Sequence, residues 1–140
     1  MVRNIVILAY SCVESYTLAH MTIKILVADD QPQIRSLITA VLGEGYQVIQ
    51  ADSGREALTV ARKEMPDLVI MDILMPGMDG LTACSQLKAD PATATIPVLV
   101  LTIIDYELNR RFAEDLGADG YITKPFTAEE LRTAVTSHLK

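Results

Sequence analysis

Three carboxylates, a hydroxyl and an ammonium follow short apolar runs in this sequence. Asp29 and Asp30 come after Ile23–Ala28, Asp72 after Leu68–Met71, Thr102 after Pro97–Leu101, and Lys124, with Pro125 next to it, after Gly120–Thr123. Crowded carboxylates repel one another unless a cation neutralises them, and hard oxygen ligands suit Mg²⁺. Lysine adds a positive point charge and threonine a short hydrogen-bond donor. Such a set stabilises an anion beside a metal, and the anion that matches it best is a phosphoryl group. Taken singly, each residue has a plainer explanation. An acidic residue after a strand often caps the next helix, which would account for one of Asp29 and Asp30, and Lys-Pro is a common turn. The recurrence at four separate strand ends is what points to a site.

The elements that must position these groups are legible in the apolar pattern. Ile23–Ala28 is nearly continuous in apolar residues, as a buried parallel strand is. Pro32 suits the first turn of a helix, along which Ile34, Leu37, Ile38, Val41 and Leu42 recur at helical spacing until Gly43 or Gly45. Tyr46–Gln50 reads as a second strand. Ser53 and Glu56 make a capping box for a helix with Ala57, Leu58, Ala61 and Met65 inward, stopped by Pro66. Leu68–Met71 is the third strand, and a loop with Pro76 and Gly77 leads to a helix from about Asp79. Pro97–Leu101 is the fourth strand, followed by a helix from about Asp105 to Leu116. Gly120–Thr123 is the fifth strand. A second capping box, Thr127 with Glu130, opens a last helix with Leu131, Ala134, Val135, His138 and Leu139 on one face. Strands alternating with helices predict a doubly wound, parallel α/β sandwich with its ligand site beyond the carboxyl ends of the strands.

Length and composition agree with one domain. The chain has 140 residues, half of them hydrophobic and 21% charged, with a net charge of −6. That acidity disfavours non-specific nucleic-acid binding and anionic membranes. Cys12 and Cys84 form no spacing motif, and with His20 and His138 they are too few for a zinc site. Cys84 reads as a buried reduced thiol. Met1–Met21 is apolar, but its uncharged run from Asn4 to Val13 is shorter than a membrane span and ends in no cleavage pattern. We read residues 1–21 as an N-terminal extension or an early start, and 22–140 as the folded domain.

Four stretches carry a family resemblance from Thr22 to Lys140: Val27-Ala28-Asp29-Asp30, Met71-Asp72-Ile73-Leu74-Met75-Pro76-Gly77-Met78-Asp79-Gly80, Leu101-Thr102, and Tyr121-Ile122-Thr123-Lys124-Pro125-Phe126. The chain resembles the response-regulator receiver domain of two-component phosphorelay signalling. The resemblance implies a flavodoxin-like (βα)5 fold with a parallel sheet of order 2-1-3-4-5. It implies that Asp72 accepts a phosphoryl group from a histidine kinase or phosphotransfer protein. Asp29, Asp30, Asp72 and the backbone carbonyl of Leu74 would hold Mg²⁺ (or Mn²⁺). Thr102 and Lys124 would contact the phosphoryl oxygens, and Tyr121 would be the aromatic switch. The downstream effector protein would dock around Tyr106, Tyr121 and Phe126, without direct contact to nucleic acid or membrane, in the cytoplasm. One position departs from the pattern. The residue after Thr102 is usually small in the family and is Ile103 here, followed by Ile104, which is expected to modulate access to Asp72.

The chain stops at its last helix, so the sequence reading is of a stand-alone receiver that signals through a partner, not an enzyme. A phosphatase on this fold would require a second catalytic carboxylate where Leu74 stands, together with a cap insertion. A nucleotide site would need a glycine-rich loop after the first strand. The remaining alternative is a pseudo-receiver that binds partners without phosphorylation, which Ile103 keeps open.

Overall fold

The computed structural model describes residues 22–103, 111 and 113–139. Its five strands are β1 (Lys24–Ala28), β2 (Gln47–Ala51), β3 (Leu68–Asp72), β4 (Val98–Thr102) and β5 (Gly120–Thr123). They form one parallel sheet of order β2-β1-β3-β4-β5. The intervening helices are α1 (Pro32–Leu42), α2 (Gly54–Glu64), α3 (Gly80–Ala89), α4 (described at 111 and 113–115) and α5 (Ala128–His138).

Because successive strand side chains point to opposite faces, the sheet builds two cores. Leu26, Val69, Met71, Val98 and Val100 pack under α2 and α3, against Ala57, Leu58, Ala61, Ala83, Cys84 and Leu87. Ile25, Val27, Ile70, Leu99 and Leu101 pack on the other side against Ile38, Leu42, Leu131 and Val135 of α1 and α5. The β3 and β4 residues are buried throughout, which explains their unbroken apolar runs. Each large aliphatic side chain removed from water in this way contributes about 1.5–3 kcal/mol.

The helix ends follow local chemistry. Asp79 caps α3 by accepting from the Thr82 N–H at 2.8 Å. The Thr127–Glu130 capping box is complete, with bonds of 3.0 and 2.9 Å. The one expected at Ser53 is modified. Ser53 accepts from the Glu56 N–H, but the Glu56 carboxylate reaches the N–H of Asp52, one residue before the cap. Two expected core residues lie outside. Leu37 is 49% exposed at the margin of the α1 stripe, and Met65, 48% exposed, is the left-handed C-cap of α2 ahead of Pro66. Strand β2 starts one residue later than expected because a short 3₁₀ turn over Gly43–Gly45 delays it.

The winding reverses between β1 and β3. Chain order runs outward from β1 to β2 on one side and from β3 to β5 on the other, so a crevice opens at the carboxyl ends of β1 and β3.

Candidate functional site

Asp29 leaves β1 at this crevice and Asp72 is the last residue of β3, so register brings their carboxylates together. Asp29 is fully buried. Its N–H donates to the Ala51 carbonyl at 3.1 Å, and its Oδ1 accepts from the Gln31 N–H at 2.9 Å. The N-cap of α1 is Gln31, without a side-chain cap bond, so neither Asp29 nor Asp30 caps that helix as expected. Asp29 Oδ1 instead takes the N–H of the N-cap residue, and its Oδ2 faces Lys124. Asp30 is exposed. One oxygen from each of Asp29, Asp30 and Asp72 lies within 4.8 Å of the others, the one such acidic group among the described residues.

Lys124 is what holds the two buried carboxylates side by side. Its Nζ lies 3.1 Å from Asp29 Oδ2 and 3.3 Å from Asp72 Oδ1. Its backbone N–H donates to the Thr102 carbonyl at 2.6 Å, and the Lys124–Pro125 peptide is cis. Burial pushes the Asp72 carboxyl above the usual range, and the Asp29 charge adds to this, while Lys124 opposes both. A cluster of hard oxygen donors with surplus negative charge fits a divalent cation such as Mg²⁺. The cluster is made of carboxylates alone, without histidine or cysteine, and the Lys124 ammonium cannot ligate, so this donor set does not resemble a zinc site.

Thr102 ends β4, between the strands that carry Asp72 and Lys124, and is 8% exposed. Leu74 and Ile103, in the segments that follow β3 and β4, are 60% and 57% exposed. Tyr121 is half-buried against the core under α2 and α3, and Phe126 packs toward α1 and α5. Tyr106 and Ile104 lie outside the described residues, as do Cys12 and His20.

Two residues that sequence reasoning left without a part in the site help to build it. A Cβ at Gly80 would overlap the carbonyl oxygen of Asp72 and stand 2.7 Å from its carbonyl carbon. Only glycine lets α3 start against that backbone, where the Gly80 N–H donates to the Ile73 carbonyl at 2.9 Å. Arg35 of α1 donates to the Asp29 carbonyl at 2.6 Å. The glycine after the capping Asp79 was a usable signal; an arginine on a helix gave none.

A doubly wound α/β sandwich of this strand order, with an acidic crevice at its switch point, defines the class. Residues 25–136 match the response regulator receiver domain. The chain is 39% identical to protein PilH of Pseudomonas aeruginosa over 117 residues, covering 83% of this chain and 97% of that one. It is 40% identical to the probable transcriptional regulator ycf27 of Pyropia yezoensis over 84% of this chain, and spans only 47% of that longer protein. The chemotaxis response regulator CheY4 of Vibrio cholerae superposes with a TM-score of 0.81 at 32% identity, covering 85% of this chain and all of that one. The chain belongs to the response-regulator receiver family of two-component signalling. Among the described residues no helix is long and apolar enough to cross a membrane.

Proposed function

We propose that this receiver accepts a phosphoryl group on Asp72 and passes the change to a partner protein. The observation that carries the reading is Lys124 bridging Asp29 and Asp72, which concentrates acceptor, ligands and counter-charge in one crevice. In the transfer, an Asp72 carboxylate oxygen attacks the phosphorus of a histidine-kinase or phosphotransfer-protein phosphohistidine. The P–N bond breaks, its electron pair stays on the imidazole nitrogen, and that nitrogen takes up a proton. When bound, Mg²⁺ (or Mn²⁺) supplies charge neutralisation for the phosphoryl oxygens; Asp29, Asp30, Asp72 and the Leu74 carbonyl are the groups to hold it. The Lys124 ammonium moves from the Asp72 carboxylate to a phosphoryl oxygen, and the Thr102 hydroxyl donates to another. The protein thereby acts as a cytoplasmic phosphoacceptor rather than turning over a separate substrate.

The modification replaces one carboxylate charge with roughly two and adds strong acceptor oxygens. The response is a shift between pre-existing conformations, with Tyr121 as the moving aromatic. A groove of about 540 Å³ between β5 and α5, lined by Tyr121, Thr123, Glu130 and Ala134, adjoins this residue. It supports the Tyr121 part of the effector surface read around Tyr106, Tyr121 and Phe126.

Incubation with MgCl₂ and a small acyl-phosphate donor is expected to add one base-labile phosphoryl group, read by intact-mass spectrometry. Asp72→Asn abolishes it, because an amide is a far weaker nucleophile. Equal labelling of the variant would move the acceptor elsewhere, and an unlabelled wild type would favour a pseudo-receiver.

A further inference from the structure

Asp29 is fixed from every side, whereas Asp30 is not. The Asp29 N–H, both carboxylate oxygens and the backbone carbonyl are each engaged, by Ala51, Gln31, Lys124 and Arg35. The Asp30 carboxylate is exposed and, among the described residues, held by no hydrogen bond. Its position therefore depends on the peptide plane that joins it to Asp29, since a planar peptide carries the Asp29 carbonyl and the Asp30 nitrogen as one rigid unit. That plane is gripped at its oxygen by Arg35.

The grip has its own support. Arg35 Nε donates to Gln50 Oε1 on β2 at 2.9 Å while the guanidinium's terminal nitrogen reaches the Asp29 carbonyl at 2.6 Å. Gln50 Nε2 in turn donates to Thr39 Oγ1 at 3.5 Å, and the Thr39 hydroxyl donates to the Arg35 carbonyl at 2.7 Å. The guanidinium fork is thus anchored to α1 and β2 together, and its planar, preorganised geometry serves a two-point hold that a flexible ammonium would not.

From this geometry we propose that Arg35 is a positioning residue for cation binding: it orients the Asp29–Asp30 peptide so that the Asp30 carboxylate faces the crevice. The inference rests on the reading of the acidic crevice as a divalent-cation site. It has a signature in sign. A guanidinium beside an acidic cluster repels a cation, so loss of its charge alone would tighten Mg²⁺ binding. Loss of positioning weakens it. Partners that orient ligating groups are typically worth about 10- to 100-fold in metal affinity.

The test is a titration of ¹⁵N-labelled protein with MgCl₂ alone, following amide shifts at the crevice. Arg35→Ala is expected to bind Mg²⁺ about tenfold more weakly than wild type, at the low end of that range. Gln50→Ala, which removes the second anchor at an exposed position without changing charge, is expected to weaken binding severalfold. Amide positions in β3 and β4 report that each variant is folded, and Gln50→Ala carries the test if Arg35→Ala is not. Unchanged or tighter binding in the folded variants, with wild type responding normally, would overturn the role of Arg35 alone. A wild type whose crevice amides ignore MgCl₂ would overturn the cation site itself, and the proposal with it.

Discussion

Lys124→Met removes the ammonium that sits 3.1 Å from Asp29 and 3.3 Å from Asp72, while keeping an unbranched side chain of similar length. Each contact carries about 5 kcal/mol of Coulomb energy at an effective dielectric of about 20. Desolvation of the ammonium offsets several kcal/mol of this, and deleting one partner of a buried pair typically loses about 3–5 kcal/mol. Lys124 keeps 16% side-chain exposure and Asp72 is free to take up a proton, so the low end applies. We expect a loss of about 3 kcal/mol at neutral pH in EDTA.

The pH dependence has a definite sign. Asp72 titrates above its ordinary value near 3.8, through burial first and the Asp29 charge second. A carboxyl with a raised folded-state pKa binds its proton more tightly in the folded chain, so stability rises as pH falls through that pKa toward 3.8. Without Lys124 the opposing influence is gone and the window extends upward. The deficit of the variant therefore shrinks on acidification. Urea unfolding followed by far-ultraviolet circular dichroism reads this at several pH values, with EDTA or MgCl₂. At about ten times its Kd, a cation stabilises by about 1.4 kcal/mol, and the variant is expected to gain more than wild type from a given MgCl₂ concentration because a competing positive charge has left. Equal midpoints in EDTA, or a deficit that grows on acidification, would refute the account of Lys124.

Ile103→Ala is expected to speed both gain and loss of the phosphoryl group about tenfold, since small misplacements of reacting groups are costly in rate. With the side chain 57% exposed, stability changes by less than about 0.5 kcal/mol; unchanged rates in time-resolved mass spectra would show that Ile103 points away from the approach. Gly80→Ala forces a Cβ into the Asp72 backbone and is expected to cost about 2 kcal/mol or more, read as a lower urea midpoint; an unshifted midpoint would mean that α3 moves aside freely. Burial pushes the Cys84 thiol up to about 11, so in a Cys12→Ser background it is expected to resist a maleimide near neutral pH until urea unfolds the chain. Stability also falls as pH rises from about 9 toward 11, and prompt labelling of the folded protein would contradict the buried, protonated thiol.

The sheet was legible because its strands are short apolar runs with chemistry at their ends. Gly120–Thr123 appears as read, and the buried β3 and β4 differ only by taking in Asp72 and Thr102 while Pro97 falls outside. The failures are local. Leu37 and Met65 share the helical spacing of core residues, but spacing does not tell the edge of a stripe from its centre, nor a last helical residue from a left-handed cap. The convergence of Asp29, Asp30 and Asp72 followed from strand ends alone. The hold of Lys124 on both buried carboxylates needs strand order and register, which place β5 two strands from β3 with Thr102 between. Arg35 and Gln50 were invisible because their meaning lies in a contact between α1 and β2 that no single stretch of sequence encodes.

Borohydride trapping tests the central claim most directly. Reduction of an aspartyl phosphate cleaves the acyl–oxygen bond and leaves homoserine at the modified position, which tandem mass spectrometry locates. After treatment with acyl phosphate and MgCl₂, the account predicts homoserine at position 72 and at no other aspartate, dependent on the cation. Homoserine at position 29 or 30, or at position 72 in equal yield with EDTA present, would contradict it.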